Sequence, residues 1–216
     1  MPIEFVLNGT TRRVEPRPDE NLLETLRERC GITSLKDGCS PQGQCGCCVA
    51  LVNGSPKATC AVPARTANGK RIVTLDGLPA EERKQIADCF AAATGLQCGF
   101  CIPGIALRAK VITDRDPAPT REAIARALDG HLCRCTGYVK IIDAIELLAA
   151  AKRGETIPAA CTDGRVGRSL ERIGAAQSVL GDRPYVDDLA VPGMLHGALV
   201  LSPHPRARVM RIDTAR

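Results

Sequence analysis

Two closely spaced cysteine pairs constrain the fold of this chain more than any other feature. Cys98 and Cys101 are separated by two residues, and Cys133 and Cys135 by one. The sequence between the pairs predicts two amphipathic helices joined by a proline-rich turn, which carry the chain away and bring it back. Four thiolates gathered from two such pairs can hold one metal centre.

Local signals place both pairs next to helix N-termini. Pro103 lies just after the first pair and is typical of a first helical turn, while Thr136 or Gly137 is predicted to cap a helix that begins near Tyr138. Exposed amides and the positive end of the helix dipole stabilise thiolates and the net negative charge of an iron-sulfur unit. This environment favours an iron-sulfur centre.

A second set of cysteines lies in and after a glycine-rich loop at residues 36–48. Their spacing, C-x5-C-x2-C-x11-C, is close to that of plant-type 2Fe-2S proteins, apart from one additional residue in the first gap. Glycines in the loop are predicted to let backbone amides approach and hydrogen-bond the sulfurs. The four candidate ligands are Cys39, Cys45, Cys48 and Cys60.

The other cysteines have plainer interpretations. Cys30 and Cys89 lie on predicted helices and are expected to be buried small apolar residues. Cys161 is expected to be an incidental thiol in a linker. Cys47 is either a spectator or an alternate ligand of the second set. Zinc is the alternative to iron-sulfur centres, but the C-x-C spacing of Cys133 and Cys135 fits structural zinc sites poorly.

Neither the histidines nor the paired acids are predicted to bind a metal. His131 is expected to be a polar residue at a helix end, and His196 and His204 occupy turn-like sequence. Asp187 and Asp188 lie near a turn, where paired acids are expected to be solvated.

Composition excludes several classes of protein. Twelve cysteines in a chain without a signal peptide, several at spacings too tight for ordinary disulfides, favour metal-bound thiolates in the cytoplasm. No apolar stretch approaches membrane-spanning length. A net charge of +5 with scattered basic residues, together with 2% aromatic residues and no Trp, argues against a nucleic-acid partner.

The patterning predicts an α+β fold. Alternating residues around Asn8-Gly9 and Asn53-Gly54 indicate two hairpins, and a helix capped by Asp19 is predicted to end near Gly31. The predicted strands are residues 3–8, 11–15, 49–52, 57–60 and 71–75. Four helices of a compact bundle follow at residues 80–93, 103–114, 120–130 and 138–151. Residues 152–166 have no periodicity and are predicted to be a linker, followed by short strands and turns.

Taken together, the two cysteine sets resemble the iron-sulfur portion of the xanthine oxidase and aldehyde oxidoreductase family of molybdenum hydroxylases. The most specific motifs are QCGFC, residues 97–101, and CRCTGY, residues 133–138. Residues 166–169, 181–189 and 192–197 are similar to the opening of the family's molybdenum-binding portion. The resemblance implies a plant-ferredoxin-like β-grasp domain at 1–78, a helical 2Fe-2S domain at 79–151, a linker at 152–166 and an incomplete, hammerhead-like α/β segment at 167–216.

The resemblance also implies cofactors and roles. Each cysteine set would hold one 2Fe-2S cluster, and Gln97 and Cys135 match positions that contact molybdopterin in relatives. Electrons would pass from a molybdopterin centre through both clusters to an external acceptor during hydroxylation of an N-heterocycle, such as a xanthine-like compound, or of an aldehyde.

The implied partners are a molybdopterin-binding subunit, or the remainder of a longer polypeptide, and a flavin subunit or other acceptor. No catalytic residue is assigned. A stand-alone ferredoxin-like carrier or redox sensor is the alternative, and a zinc-stabilised scaffold is a more distant one.

Overall fold

Five short strands form a mixed sheet in the first part of the chain. The computed structural model describes residues 1–159, 161, 163–168, 170–195 and 197–214. The strand order is β2-β1-β5-β3-β4, with β1 and β5 parallel and the other neighbours antiparallel. The strands are β1 (Ile3–Leu7), β2 (Thr10–Val14), β3 (Val49–Val52), β4 (Ser55–Ala58) and β5 (Arg71–Val73). Both hairpins predicted from Asn-Gly are confirmed, although β4 begins and ends two residues earlier than expected.

The helix that packs under the sheet begins later than the sequence suggested. Asn21, not Asp19, caps α1 (Leu22–Glu24), and its side chain and that of Glu24 satisfy each other's backbone amides in a capping box. Such a cap contributes about 1 kcal/mol. A π-helical turn at Thr25–Arg29 continues the helix, so Leu22 and Leu26 both reach the core beneath the sheet.

Four helices follow in the predicted order. They are α2 (Ala80–Ala92), α3 (Ile102–Arg115), α4 (Arg121–Ala127) and α5 (Val139–Lys152). The α5 helix contacts the other three and buries Ile141, Ile145 and Leu148, spaced as one helix face. Pro103 lies in the first turn of α3 as expected, whereas neither Thr136 nor Gly137 caps α5, which Tyr138 precedes in a left-handed conformation without a side-chain cap.

One face of the sheet shares an apolar core with the helices, while the other face packs over a separate core with α1. Val49 and Leu51 of β3 belong to the same buried cluster as Ile102 and Ile105 of α3. Gly104 of α3 faces the cysteine loop so closely that a Cβ there would overlap the carbonyl oxygen of Gly46. Direct contact with the backbone of Gly46 therefore fixes the position of α3 relative to the cysteine loop.

The C-terminal region differs from the expectation of short strands. Among its described residues the regular elements are α6 (Ala175–Leu180) and a 3-10 turn at Val186–Asp188, and α6 packs against α2 and α3. Ser169 and His196, part of the motifs noted above, lie outside the described residues, as do the last two residues. No helix in the described part of the chain is long and apolar enough to cross a membrane.

The contact at Gly104 predicts a measurable packing cost. We expect Gly104→Ala to lower the free energy of unfolding by about 1–3 kcal/mol, because the backbone of Gly46 cannot rotate away from the added methyl group. Helix propensity acts in the opposite direction by only about 0.5–1 kcal/mol. Gly130→Ala is the control, since a Cβ there meets nothing within 4 Å. Equal denaturation midpoints for both variants would contradict the close approach.

Candidate metal centres

The thiol of Cys39 lies beside that of Cys45 in spite of the additional residue between them. The two side chains interact directly, and backbone amides of the intervening loop donate hydrogen bonds to the Cys39 sulfur. Burial raises the pKa of Cys39, but these amides, from Gln44, Cys45 and Gln42, outweigh burial and lower the pKa to about 7. The loop therefore stabilises the negative charge that a metal-bound thiolate carries.

The β3-β4 hairpin brings Cys48 and Cys60 together. Cys48 directly precedes β3, and Cys60 follows β4 by two residues. The Thr59 hydroxyl donates to the Cys48 carbonyl oxygen at 2.7 Å and ties the two ends of the hairpin. Burial and the neighbouring Cys48 thiol raise the pKa of Cys60 to about 12, while the amide of Gly43 donates to its sulfur.

The cysteines on either side of the α3-α4 excursion also meet in pairs. The sulfur atoms of Cys98 and Cys135 are 3.6 Å apart, and the thiols of Cys101 and Cys133 interact with each other. Burial and the Cys133 thiol raise the pKa of Cys101. At Cys133 burial acts in the same direction, but the Thr136 hydroxyl, 3.1 Å from the sulfur, and nearby amides outweigh it and lower the pKa.

Each set thus presents its thiols two by two. A 2Fe-2S cluster takes four cysteine thiolates, two on each iron, so this donor set and its pairing fit such a cluster. Among the described residues no three His, Cys, Asp or Glu side chains converge closely enough to hold a single metal ion. The four pairs are Cys39 with Cys45, Cys48 with Cys60, Cys98 with Cys135, and Cys101 with Cys133.

The second set has an exposed side and a buried side. Cys98 and Cys135 are exposed together with Gln97, whereas Cys101 and Cys133 are each 7% exposed. The buried side faces the first set, because Cys47 lies within electrostatic reach of Cys45, Cys48 and Cys101. A centre held by the second set would therefore be accessible from solvent at one edge and covered by protein at the other.

Cys47 lies between the two sets, and its thiol contacts that of Cys45, which also pairs with Cys39. Its side chain is 4% exposed, and burial is the main cause that raises its pKa. Its thiol contacts the Cys45 carbonyl oxygen at 3.8 Å, and a Cβ at Gly38 would be 3.2 Å from its sulfur. Cys47 is therefore a buried, neutral thiol packed between two candidate centres.

The remaining cysteines largely follow the expectations. Cys89 is fully buried in the helical core, and Cys30 is half-buried against the sheet core. The Cys161 sulfur lies 2.9 Å from a carboxylate oxygen of Asp163 and 3.5 Å from Nε of Arg168, so it forms part of a local polar contact.

Two side chains near Cys133 were not anticipated from the sequence. The Tyr138 hydroxyl accepts a hydrogen bond from the Cys133 amide at 2.8 Å and donates one to the His131 carbonyl oxygen at 2.9 Å. The Thr136 hydroxyl contacts the Cys133 sulfur and accepts from the Tyr138 amide. Only their place in the CRCTGY motif pointed to these two residues. Their hydroxyl groups hold the loop in place around the buried Cys133 thiol.

His131, expected to be a polar residue at a helix end, is buried and lies a few residues after the end of α4. It is 6% exposed and packs so closely against Gly46 that a Cβ there would overlap its ring. Burial and the nearby charge of Arg108 lower the pKa of His131 to about 4, and its Nδ1 has no hydrogen-bond partner among the described residues. His204 lies in a bend, in keeping with its turn-like sequence, and is exposed.

Comparisons with known proteins match the chain to two iron-sulfur families. Residues 5–78 match a family described as "2Fe-2S iron-sulfur cluster binding domain", and residues 74–146 match one described as "[2Fe-2S] binding domain". The chain is 46% identical over 145 residues to the nicotinate dehydrogenase small FeS subunit of Eubacterium barkeri, covering 66% of this chain and 91% of that subunit.

Larger relatives extend the similarity to the C-terminal region. Aldehyde oxidoreductase of Megalodesulfovibrio gigas is 33% identical over 98% of this chain, which spans 25% of that protein. The crystal structure of aldehyde oxidoreductase from Desulfovibrio desulfuricans superposes with a TM-score of 0.78 at 32% identity, covering 87% of this chain and 22% of that one. The chain therefore spans about a quarter or less of the aldehyde oxidoreductases and most of the small subunit.

The packing of Cys47 predicts that it is dispensable for cluster binding. We expect Cys47→Ala to retain the iron and acid-labile sulfide content of the unmodified chain, because Cys45 already pairs with Cys39 and burial raises the pKa of Cys47 and keeps its thiol protonated. Cys45→Ala should halve that content, since it breaks the pair with Cys39. If Cys47→Ala also lost half of the iron, the additional residue after Cys39 would have shifted the ligands.

The buried His131 predicts a pH dependence of stability. An unfolded histidine titrates near pH 6.5, so between about 4 and 6.5 the unfolded chain binds more protons than the folded one. The contribution of neutral His131 to the free energy of unfolding should therefore be fully present above this window. The free energy of unfolding should fall by about 1 kcal/mol between about pH 7.5 and about pH 5.5. His131→Gln should flatten the decline in denaturant titrations, whereas His204→Gln, at an exposed site, should not. An unchanged slope in His131→Gln would show that other groups cause the decline.

Proposed function

The chain belongs to the xanthine oxidase and aldehyde oxidoreductase family of molybdenum hydroxylases, and from this premise we propose which residues carry its function. The chain is the iron-sulfur electron-transfer part of such an enzyme, with two 2Fe-2S binding domains. The observation that carries the assignment of residues is the pairing of eight thiols in two sets, separated by the loop that contains Cys47.

We assign one cluster to each set. The outer cluster is held by Cys39, Cys45, Cys48 and Cys60, and the inner cluster by Cys98, Cys101, Cys133 and Cys135. Bound there, a 2Fe-2S cluster accepts and releases one electron at a time. The protein groups supply amide and hydroxyl donors to the sulfurs, as at Cys39 and Cys133, and exclude water from the buried side of each set.

The exposure of the inner set supports a direction of electron transfer. Gln97, Cys98 and Cys135 form the accessible edge, so a molybdopterin-binding partner would approach the inner cluster there. The buried edge, at Cys101, faces Cys47 and the outer set. Electrons would then enter at the exposed edge, cross the Cys47 loop and leave from the outer cluster toward an external acceptor.

We further propose a domain organisation. Residues 1–78 form the ferredoxin-like domain, and the parallel pairing of β1 and β5 within a mixed sheet supports its β-grasp topology. Residues 79–151 form the helical domain, 152–166 a linker, and 167–216 the beginning of a molybdenum portion. Exposed apolar residues in this last region, among them Leu195, Leu199 and Val200, each at least 90% exposed, support a further protein surface packing there.

The whole enzyme's partners and substrate follow from the relatives. A catalytic portion that binds molybdopterin would hydroxylate an N-heterocycle or an aldehyde, in keeping with the nicotinate and aldehyde enzymes among the relatives. An electron acceptor, a flavin subunit or another carrier, would receive electrons from the outer cluster.

The experiment that tests this function is electron paramagnetic resonance of the dithionite-reduced chain with iron and sulfide analysis. We expect two distinct 2Fe-2S signals. Cys135→Ala should abolish one signal and leave the other, because its thiol pairs with Cys98 alone. Cys161→Ala is the matched control, because Cys161 lies outside the four thiol pairs, and this variant should retain both signals. A single signal in the unmodified chain, or stoichiometric zinc without sulfide, would contradict the proposal.

A further inference from the structure

A buried ion pair ties the C-terminal region to the first cysteine loop. Lys36 is 1% exposed, and its ammonium group lies 2.6 Å from a carboxylate oxygen of Asp188, whose side chain is 2% exposed. The Lys36 amide in turn donates to the Cys47 carbonyl oxygen at 3.1 Å. The contact therefore links residue 188 to the loop between the two candidate clusters.

A second cation lies beside Asp188, within ion-pair distance of an oxygen, Oδ1, that has no well-aligned hydrogen bond among the described residues. The guanidinium group of Arg27, whose side chain is 7% exposed, lies 3.0 Å from the other carboxylate oxygen of Asp188 and donates to the Leu35 carbonyl oxygen at 2.6 Å. Arg27 also reaches Asp187 at 3.1 Å, but that carboxylate is 71% exposed. The two neighbouring acids thus occupy opposite environments, and the buried one is held by two cations.

Tyr185 extends the same segment to the inner set. Its hydroxyl donates a hydrogen bond to the Cys98 carbonyl oxygen at 2.6 Å. Its ring packs edge-on against Phe100, with centroids 5.2 Å apart, and lies 5.0 Å from the Lys36 ammonium group. One aromatic side chain therefore contacts the loop of an exposed cysteine and the ion pair.

The approach of this segment to both domains is too close for ordinary side chains at two points. A Cβ at Gly99 would be 2.9 Å from Cβ of Ser178 on α6, and a Cβ at Gly181 would be 2.7 Å from Cα of Ser34. Gly181 has φ +80°, a left-handed conformation that favours glycine. Glycine is therefore needed at both points of contact, at Gly99 and at Gly181.

We propose that residues 181–188 form a clamp across the seam, the boundary between the ferredoxin-like domain and the helical domain. Asp188 anchors this segment, and Tyr185 positions the Cys98 loop. The clamp rests on the proposed function, since Cys98 is taken as a ligand of the inner cluster. Tyr185 is a positioning residue that acts through the Cys98 backbone. The clamp holds one ligand of the exposed edge in place while leaving its thiol accessible.

The burial of charge distinguishes a clamp from a solvated turn. A surface ion pair contributes little and tolerates loss of one partner, whereas removal of one partner from a buried pair leaves an uncompensated charge inside the protein. Asp188 is therefore required wherever the segment is docked. The exposed Asp187, adjacent in sequence and paired with the same arginine, is the matched control.

The test compares three variants of the full chain, Tyr185→Phe, Asp188→Asn and Asp187→Asn. Tyr185→Phe should shift the g values and midpoint potential of the inner signal and leave the outer signal unchanged. Asp188→Asn should do the same and raise the rate of limited proteolysis within residues 181–195 by about tenfold or more. Asp187→Asn should match the unmodified chain in all three measurements.

The outcomes separate the clamp from the function on which it rests. Absence of two signals in the unmodified chain refutes the cluster assignment. Two signals that remain unchanged in Tyr185→Phe, or that shift equally, overturn the clamp, as does equal proteolysis of Asp187→Asn and Asp188→Asn. If Asp188→Asn does not fold, Tyr185→Phe decides alone, because it removes one hydroxyl and keeps the ring against Phe100.

Discussion

The close packing of the Cys45–Cys48 loop against the helical domain is the constraint on which the rest of the structure depends. Gly46 meets His131 on one side and Gly104 on the other, without room for a single methyl group at either glycine. Electron transfer needs a fixed separation between its centres, and a loop wedged between two backbones supplies one. The shared core of β3 and α3 stiffens this contact, since close-packed interiors transmit displacement instead of absorbing it.

Charge is distributed across this junction in a way that suits two negatively charged centres. Burial keeps His131 and Cys47 neutral, so neither side chain places a charge between the two sets. Stabilisation of the sulfurs comes instead from amide and hydroxyl dipoles, which are fixed by the fold and cost no reorganisation when an electron arrives. The low dielectric of the junction strengthens each of these interactions.

The sequence predicted the features that depend on residues close together in the chain and missed those that depend on residues far apart. Both hairpins and all four bundle helices were predicted from local signals. The spacing of the cysteines alone predicted that Cys98 and Cys101 approach Cys133 and Cys135. The capping residue Asn21 was missed because Asp19 carries an equally good local signal, and burial of the following leucines decides between them. The expected C-terminal strands were wrong for the described residues, which form α6 and a 3-10 turn instead.

Long-range polar contacts were beyond any local pattern. Asp187 and Asp188 are identical in type and adjacent in sequence, yet only the second is buried, because its partners Lys36 and Arg27 come from the opposite end of the chain. An apolar contact would hold the segment at less desolvation cost but would tolerate sliding along the seam. A carboxylate held by two cations from separate elements has one satisfactory position. If the Cys98 loop must keep a fixed position at an exposed edge, a buried charge that accepts a single geometry achieves this better than additional apolar surface does.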